Sequence, residues 1–323
     1  MKGIHHIIVQ NRYLKYEFDI KRNITVLLGD SATGKTTLIE MIQERLINGQ
    51  DSGVTISCDV PCVVLTGELW KNQLKDTANS IVFIDEGYRF VRTEEFALAV
   101  RESSNYYVIV SRESLDMLPI SVDEIYGIKS SGKYGSIEPV YHELYKIYTV
   151  SEARQLPVKF QAMLVEDSNS GYEFFSSVAD DKGYTCYSAH GKSRIYNTIC
   201  NLDRNHESLL IIADGAAFGS QMNRLYHIIR QDEKIQLYLP ESFEWLLLNA
   251  NLFKDSNVSE ILSNPSDYID SKDYFSWERF FTKLLIDVSQ ETYLKYDKSS
   301  LNQNYLNNAI KTKVLDSIKG IEF

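Results

Sequence analysis

The segment Gly29-Asp30-Ser31-Ala32-Thr33-Gly34-Lys35-Thr36, followed by Thr37, satisfies the pattern GxxxxGK[ST] at every fixed position. Its glycines let the backbone curl, so that N–H groups and the start of a following helix surround phosphate oxygens. Lys35 would then reach the β- and γ-phosphates, and the Thr36 hydroxyl would ligate Mg²⁺. Further along, Ile81-Val82-Phe83-Ile84 is an apolar run ending in Asp85-Glu86. Asp85 fits the carboxylate of an Mg²⁺ shell, and Glu86 one that orients or activates an attacking water. A third apolar run, over 106–110, ends in Ser111-Arg112. Ser111 would sense the γ-phosphate if this strand lies between the other two; a turn serine is the plainer reading. Arg89, Arg92, Arg101 and Arg112 are all candidates for an arginine that stabilises developing charge, and the sequence does not choose among them.

A second constellation lies in the later half. Glu166-Asp167 and Asp214 each follow an apolar run, and Glu241 and Glu244 follow another. In a parallel α/β sheet the carboxyl ends of strands line one crevice, so Glu166 and Asp214 can converge despite their separation. Clustered carboxylates suit Mg²⁺, and Lys192, in Ser188-Ala189-His190-Gly191-Lys192-Ser193, offers a charge for phosphate. The competing reading of Asp214 is a turn or helix cap.

The elements needed to position these residues are legible as periodicity. Apolar or alternating runs predict strands over 4–9, 14–20, 24–28, 62–65, 81–84 and 106–110, with a hairpin or edge over 126–148 that turns at 130–133. A helix is expected over about 35–46, with Leu38, Ile42 and Leu46 on one face. Strands alternating with helices imply an α/β fold with a mostly parallel sheet covered on both faces. The alternation restarts with strands over 160–165, 184–188, 209–213 and 235–239 and helices over about 171–178, 193–201 and 220–230. After Pro240 the chain reads as helical, and apolar residues of the tail such as Trp277, Phe281 and Leu285 read as core or an oligomer face. The expected organisation is a phosphate-binding domain over 1–152, a smaller α/β domain over 153–249 and a helical extension over 250–323 packed on the second domain.

The first half resembles P-loop NTPases that carry an extra strand and a glutamate beside the Walker-B aspartate. An [NT]KxD guanine-reading motif and an LSGGQ motif are both missing, which favours ATP and argues against an ABC-type sandwich. The stretch 160–248 resembles a Toprim domain, and the whole chain the ATPase–Toprim proteins of the OLD family. Where that family has DxD, this chain reads Asp214-Gly215-Ala216, so one carboxylate is missing. The resemblance implies an ATP- and Mg²⁺-dependent hydrolase in mobile-element or anti-phage biology. Its second domain would bind metal and nucleic acid or dock a protein partner. The alternatives are a nucleotide-gated sensor with negligible turnover and a phosphotransferase in which Glu86 activates a substrate hydroxyl.

Composition bounds these readings. The chain has 323 residues, 44% hydrophobic and 24% charged, which excludes disorder. A net charge of −10 argues against non-specific wrapping of nucleic acid. No apolar run approaches the roughly 18–20 residues of a membrane span. Four cysteines without zinc spacing point to reduced thiols and a cytoplasmic location, and the apolar tail offers a face for a homo-oligomer. His5-His6 is a poor chelate, since neighbours on a strand point to opposite faces, and His190 reads as a loop residue.

Overall fold

A computed structural model describes residues 1–29, 33–67, 69–131, 140–148, 159–202 and 207–323. The chain is α/β and forms two compact units, Met1–Tyr148 with Asn264–Ser276, and Thr149–Ser263 with Trp277–Phe323. The expected tail over 250–323 is therefore divided between them. Its middle piece is held in the first unit by hydrogen bonds: Gly3 N–H donates to the Ser266 carbonyl at 2.8 Å, and the Asn23 side chain donates to the Tyr274 carbonyl at 2.9 Å.

The first unit contains β1 (His5–Gln10), β2 (Leu14–Ile20), β3 (Ile24–Leu27), α1 (Lys35–Asn48), β4 (Thr55–Ser57), β5 (Cys62–Val64), α2 (Trp70–Lys75), β6 (Ile81–Ile84), α3 (Glu94–Glu102), β7 (Tyr106–Val110), β8 (Ile125–Ser131) and β9 (Val140–Lys146). These strands form one sheet in the order β4-β1-β2-β9-β8-β3-β7-β6-β5. From β8 to β5 all neighbours are parallel, whereas β4–β1, β1–β2 and β8–β9 are antiparallel.

Every residue of β3, β6 and β7 is buried, as continuous apolar runs in a parallel sheet require. Coverage on both faces stops there. β1 and β2 alternate, turning Ile7, Val9, Tyr16 and Phe18 inward and His6, Glu17 and Asp19 to solvent, because an antiparallel edge needs only one buried face. His5 and His6 accordingly part company: His5 is buried against Asp59, and His6 is exposed beside Asp19. α1 packs Leu38, Ile39, Met41 and Ile42 onto the sheet, while Leu46, expected on that face, is 51% exposed because the last turn stands clear of the core. The expected turn over 130–133 is only partly described: Ser130 and Ser131 still belong to β8, and 132–139 lie outside the described residues.

The second unit contains β10 (Ala162–Val165), α4 (Ser170–Lys182), β11 (Thr185–Ser188), α5 (Ile195–Asn201), β12 (Leu209–Ile212), α6 (Met222–Gln231), β13 (Ile235–Tyr238), α7 (Phe243–Asn249), α8 (Ser256–Ser263), α9 (Trp277–Ser289) and α10 (Asn308–Asp316). Its sheet, β11-β10-β12-β13, is wholly parallel, and β10 and β12 are buried throughout. Burial of each large apolar side chain here contributes roughly 1.5–3 kcal/mol. No helix among the described residues is long and apolar enough to cross a membrane.

Candidate functional site

Three parallel strands end side by side in the first unit. β7 lies between β3 and β6, pairing Leu27 with Val110 on one side and Ile84 with Ile109 on the other. The condition attached to Ser111 is thus met by the strand order. Just past that register the Ser111 N–H donates to the Leu27 carbonyl at 3.2 Å, so Ser111 stands beside the end of β3.

Of the glycine-rich segment, Asp30, Ser31 and Ala32 lie outside the described residues. The flanking residues form a cradle. Gly29 and Gly34 both have positive φ, 125° and 90°. A side chain at Gly34 would also collide: its Cβ would sit 2.8 Å from the Tyr16 hydroxyl and 3.1 Å from His142 Nε2. Gly34 precedes the 14-residue helix α1, whose N-terminus has no side-chain cap and no acid in its first turn. That leaves N–H groups and a positive dipole end facing the loop.

Lys35 is 5% exposed and its ammonium donates to the Gly29 carbonyl at 2.8 Å and to Thr33 Oγ1 at 2.7 Å. It closes the loop with its own charge. Thr36 Oγ1 donates to Asp85 Oδ1 at 3.4 Å, and the Glu86 N–H donates to the same oxygen at 2.8 Å. Two oxygen donors from different elements thus face each other beside the lysine. Such a pair, completed by phosphate and water oxygens, suits Mg²⁺. Thr37 follows in the first turn of α1.

Ser111 is 8% exposed, and its hydroxyl is engaged within its own turn, donating to the Glu113 carbonyl and accepting from the Glu113 N–H. Arg112 separates itself from the other arginines. Its Nε and Nη2 donate to the two oxygens of Glu86 at 2.9 and 2.8 Å. Arg92 instead pairs with Glu113.

Below the loop, the Tyr16 hydroxyl donates to the Gly34 carbonyl at 2.9 Å, and the Tyr16 ring stacks on His142 at 4.4 Å. Burial lowers the His142 pKa, so the ring is neutral at neutral pH. Sequence reasoning missed this pair, since β2 and β9 become neighbours only through the sheet.

In the second unit Glu166, Asp167, Asp214, Glu244, Glu278 and Lys298 line a cavity of about 120 Å³. Glu166 follows β10 and Asp214 follows β12, neighbouring strands, and the two meet directly: Glu166 Oε2 accepts from the Asp214 N–H at 3.0 Å. Asp214 Oδ1 accepts from the N–H of Phe243, the first residue of α7, at 3.0 Å. The Asp214 side chain does not cap the turn that it precedes, Gly215–Ala217, and the N-cap of α7 is Ser242, so this bond ties the end of β12 to the start of α7. Asp167 accepts from the N–H groups of Gly171 and Tyr172 and serves the start of α4. Glu244 accepts from the Tyr296 hydroxyl at 2.9 Å. Lys298 lies 2.7 Å from Glu278 and 3.6 Å from Glu244. Glu278, Tyr296 and Lys298 come from the tail, and no local pattern marked them. Glu241 gives its backbone carbonyl to the Ala216 N–H, and Lys192 Nζ donates to the Ala217 carbonyl at 2.9 Å. His190 is an exposed turn residue with φ 56°.

Crowding burial and like charge together favours protons over bare carboxylates. Burial first, and then the Glu278 charge, raise Glu166 to about 7 against the opposing Asp214 amide. Burial, Glu278, Glu166 and Glu244 hold Asp214 well above the usual carboxylate range. Burial works against the charge of Lys298, but the Glu244 and Glu278 carboxylates outweigh it and raise its pKa. Among the described residues no group of three His, Cys, Asp or Glu side chains is arranged to hold a metal ion. Glu166, Asp167 and Asp214 each give carboxylate oxygens to backbone N–H groups, which leaves fewer of them for a cation that needs several oxygen ligands.

No family model matches the chain, and no curated protein matches it.

Proposed function

We propose that the first unit is a Mg²⁺-dependent ATPase and that the second is a Toprim-like module that docks a partner or nucleic acid without a working two-metal centre. The observation that carries the ATPase reading is the approach of the Thr36 hydroxyl to Asp85 at 3.4 Å, across β3 and β6 with β7 between them. Thr36 and Asp85 would hold Mg²⁺, which supplies charge neutralisation on the phosphates. Lys35 would exchange the Gly29 carbonyl and the Thr33 hydroxyl for β- and γ-phosphate oxygens. Glu86 would accept a proton from water as its oxygen bonds to the γ-phosphorus. The bond to the β–γ bridging oxygen then breaks and ADP leaves with the electron pair. Adenine rather than guanine is favoured by the missing [NT]KxD motif.

The test is phosphate release by wild type and Glu86→Gln. Neutralising a general base should slow turnover by about 10²–10⁴ while ATP binding persists. Equal turnover in the two proteins would overturn the assignment. A second reading, a nucleotide-gated sensor, is favoured by the bidentate hold of Arg112 on Glu86. Tight ATP binding with negligible phosphate release by wild type would decide for it. A phosphorylated acceptor formed in step with ADP would instead mark a phosphotransferase. The association with mobile elements or phage defence rests on the OLD-family resemblance.

A further inference from the structure

Glu86 can serve as a base only if its oxygens are available to water, yet both are occupied by one guanidinium. Arg112 stands just past the end of β7, one residue beyond Ser111, whose N–H donates to the Leu27 carbonyl at 3.2 Å. It is therefore beside the strand that leads into Gly29 and beside the strand that leads into Glu86. The guanidinium fork fits carboxylate and phosphate in the same bidentate manner, and a terminal phosphate carries more charge than a carboxylate. The Arg112 and Glu86 side chains are 51% and 34% exposed, so the bond between them is solvent-screened and easily exchanged.

We propose that Arg112 passes from Glu86 to the terminal phosphate of a bound nucleoside triphosphate, freeing Glu86 to engage water only when that phosphate is present. This rests on the phosphate-site reading above. A diphosphate leaves Arg112 on Glu86, so the same residue discriminates triphosphate from diphosphate and keeps the base masked after turnover. The exchange also predicts competition: Glu86 and the terminal phosphate draw on one cation, so weakening the carboxylate's claim strengthens the phosphate's.

The experiment measures equilibrium binding of Mg²⁺–ATP and Mg²⁺–ADP to the full chain as wild type, Arg112→Ala, Arg112→Lys, Glu86→Gln and the Arg112→Ala/Glu86→Gln double variant. Arg112→Ala should weaken ATP at least about tenfold and leave ADP within about twofold. Arg112→Lys, which keeps the charge but not the fork, should fall between. Glu86→Gln should tighten ATP several-fold over wild type, and that gain should vanish in the double variant. An unchanged ATP-to-ADP ratio in Arg112→Ala, or a gain from Glu86→Gln that persists without Arg112, overturns the exchange and leaves the phosphate site standing. Wild type that binds neither nucleotide overturns both.

Discussion

At the scale of single residues, the ammonium of Lys35 is a buried charge held at the start of α1. It is buried and committed to a carbonyl and a hydroxyl of its own loop. Replacing these with phosphate oxygens strengthens both bonds, since hydrogen bonds between charged partners are worth roughly 1.5–3 kcal/mol. Lys35→Ala should therefore weaken ATP binding by about ten- to a hundredfold, as read by calorimetric titration; undiminished affinity would remove Lys35 from the site. The residue types here were legible because GxxxxGK[ST] is a contiguous pattern. Arg112 was one of four equivalent candidates until strand order put it on Glu86.

At the scale of elements, Gly34 is supported from the mixed side of its sheet. β2 and β9 are parallel neighbours that stack Tyr16 on His142 and direct the tyrosine hydroxyl to the carbonyl of Gly34. That carbonyl also accepts the first helical bond of α1, from the Leu38 N–H at 3.0 Å. Tyr16→Phe keeps the ring and loses one hydrogen bond, so it should cost about 1 kcal/mol in chemical denaturation. Gly34→Ala meets both the positive φ and the Tyr16 and His142 atoms, and should cost more, roughly 2–3 kcal/mol, with loss of ATP binding. A Gly34→Ala protein as stable as Tyr16→Phe would show that the loop is not held against this pair. Neither side chain carried a sequence signal, because alternation announces only that Tyr16 faces the core.

At the scale of the whole molecule, the two units should answer differently to pH. Glu166 is raised to about 7 and Asp214 well above its usual value, so the folded second unit holds protons that the unfolded chain releases. Stability from that difference is fully present below the ordinary carboxylate range, near 4.5 for Glu166, and is lost as pH rises through about 7. Differential protection of the second unit in hydrogen exchange should therefore decline over that window, by on the order of 3 kcal/mol for Glu166. Glu166→Gln should flatten the decline; an identical profile would deny Glu166 its raised pKa. The missing carboxylate at Ala216, with oxygens of Glu166, Asp167 and Asp214 already taken by backbone N–H groups, argues against a two-metal catalytic centre. DNA and RNA, single- and double-stranded, should be cleaved weakly or not at all in Mg²⁺ or Mn²⁺. Robust cleavage abolished by Glu166→Ala and by Asp214→Ala would overturn that expectation. Ala216, at the missing carboxylate position, is 3% exposed.

By itself the sequence determined the α/β class and most of the strands, and it picked out the glycine-rich segment on which the proposed phosphate site rests, since hydrophobic periodicity and a contiguous motif are local properties. It left open the short strand β4, the solvent-facing antiparallel edge and the return of Asn264–Ser276 to the first unit, which depend on pairing between distant segments. Only the tertiary structure decided that β7 separates β3 from β6, that Arg112 rather than Arg92 holds Glu86, and that Glu278 and Lys298 join Glu166 and Asp214. Strand order and side-chain convergence are set by packing across long sequence separations, for which a linear pattern has no term.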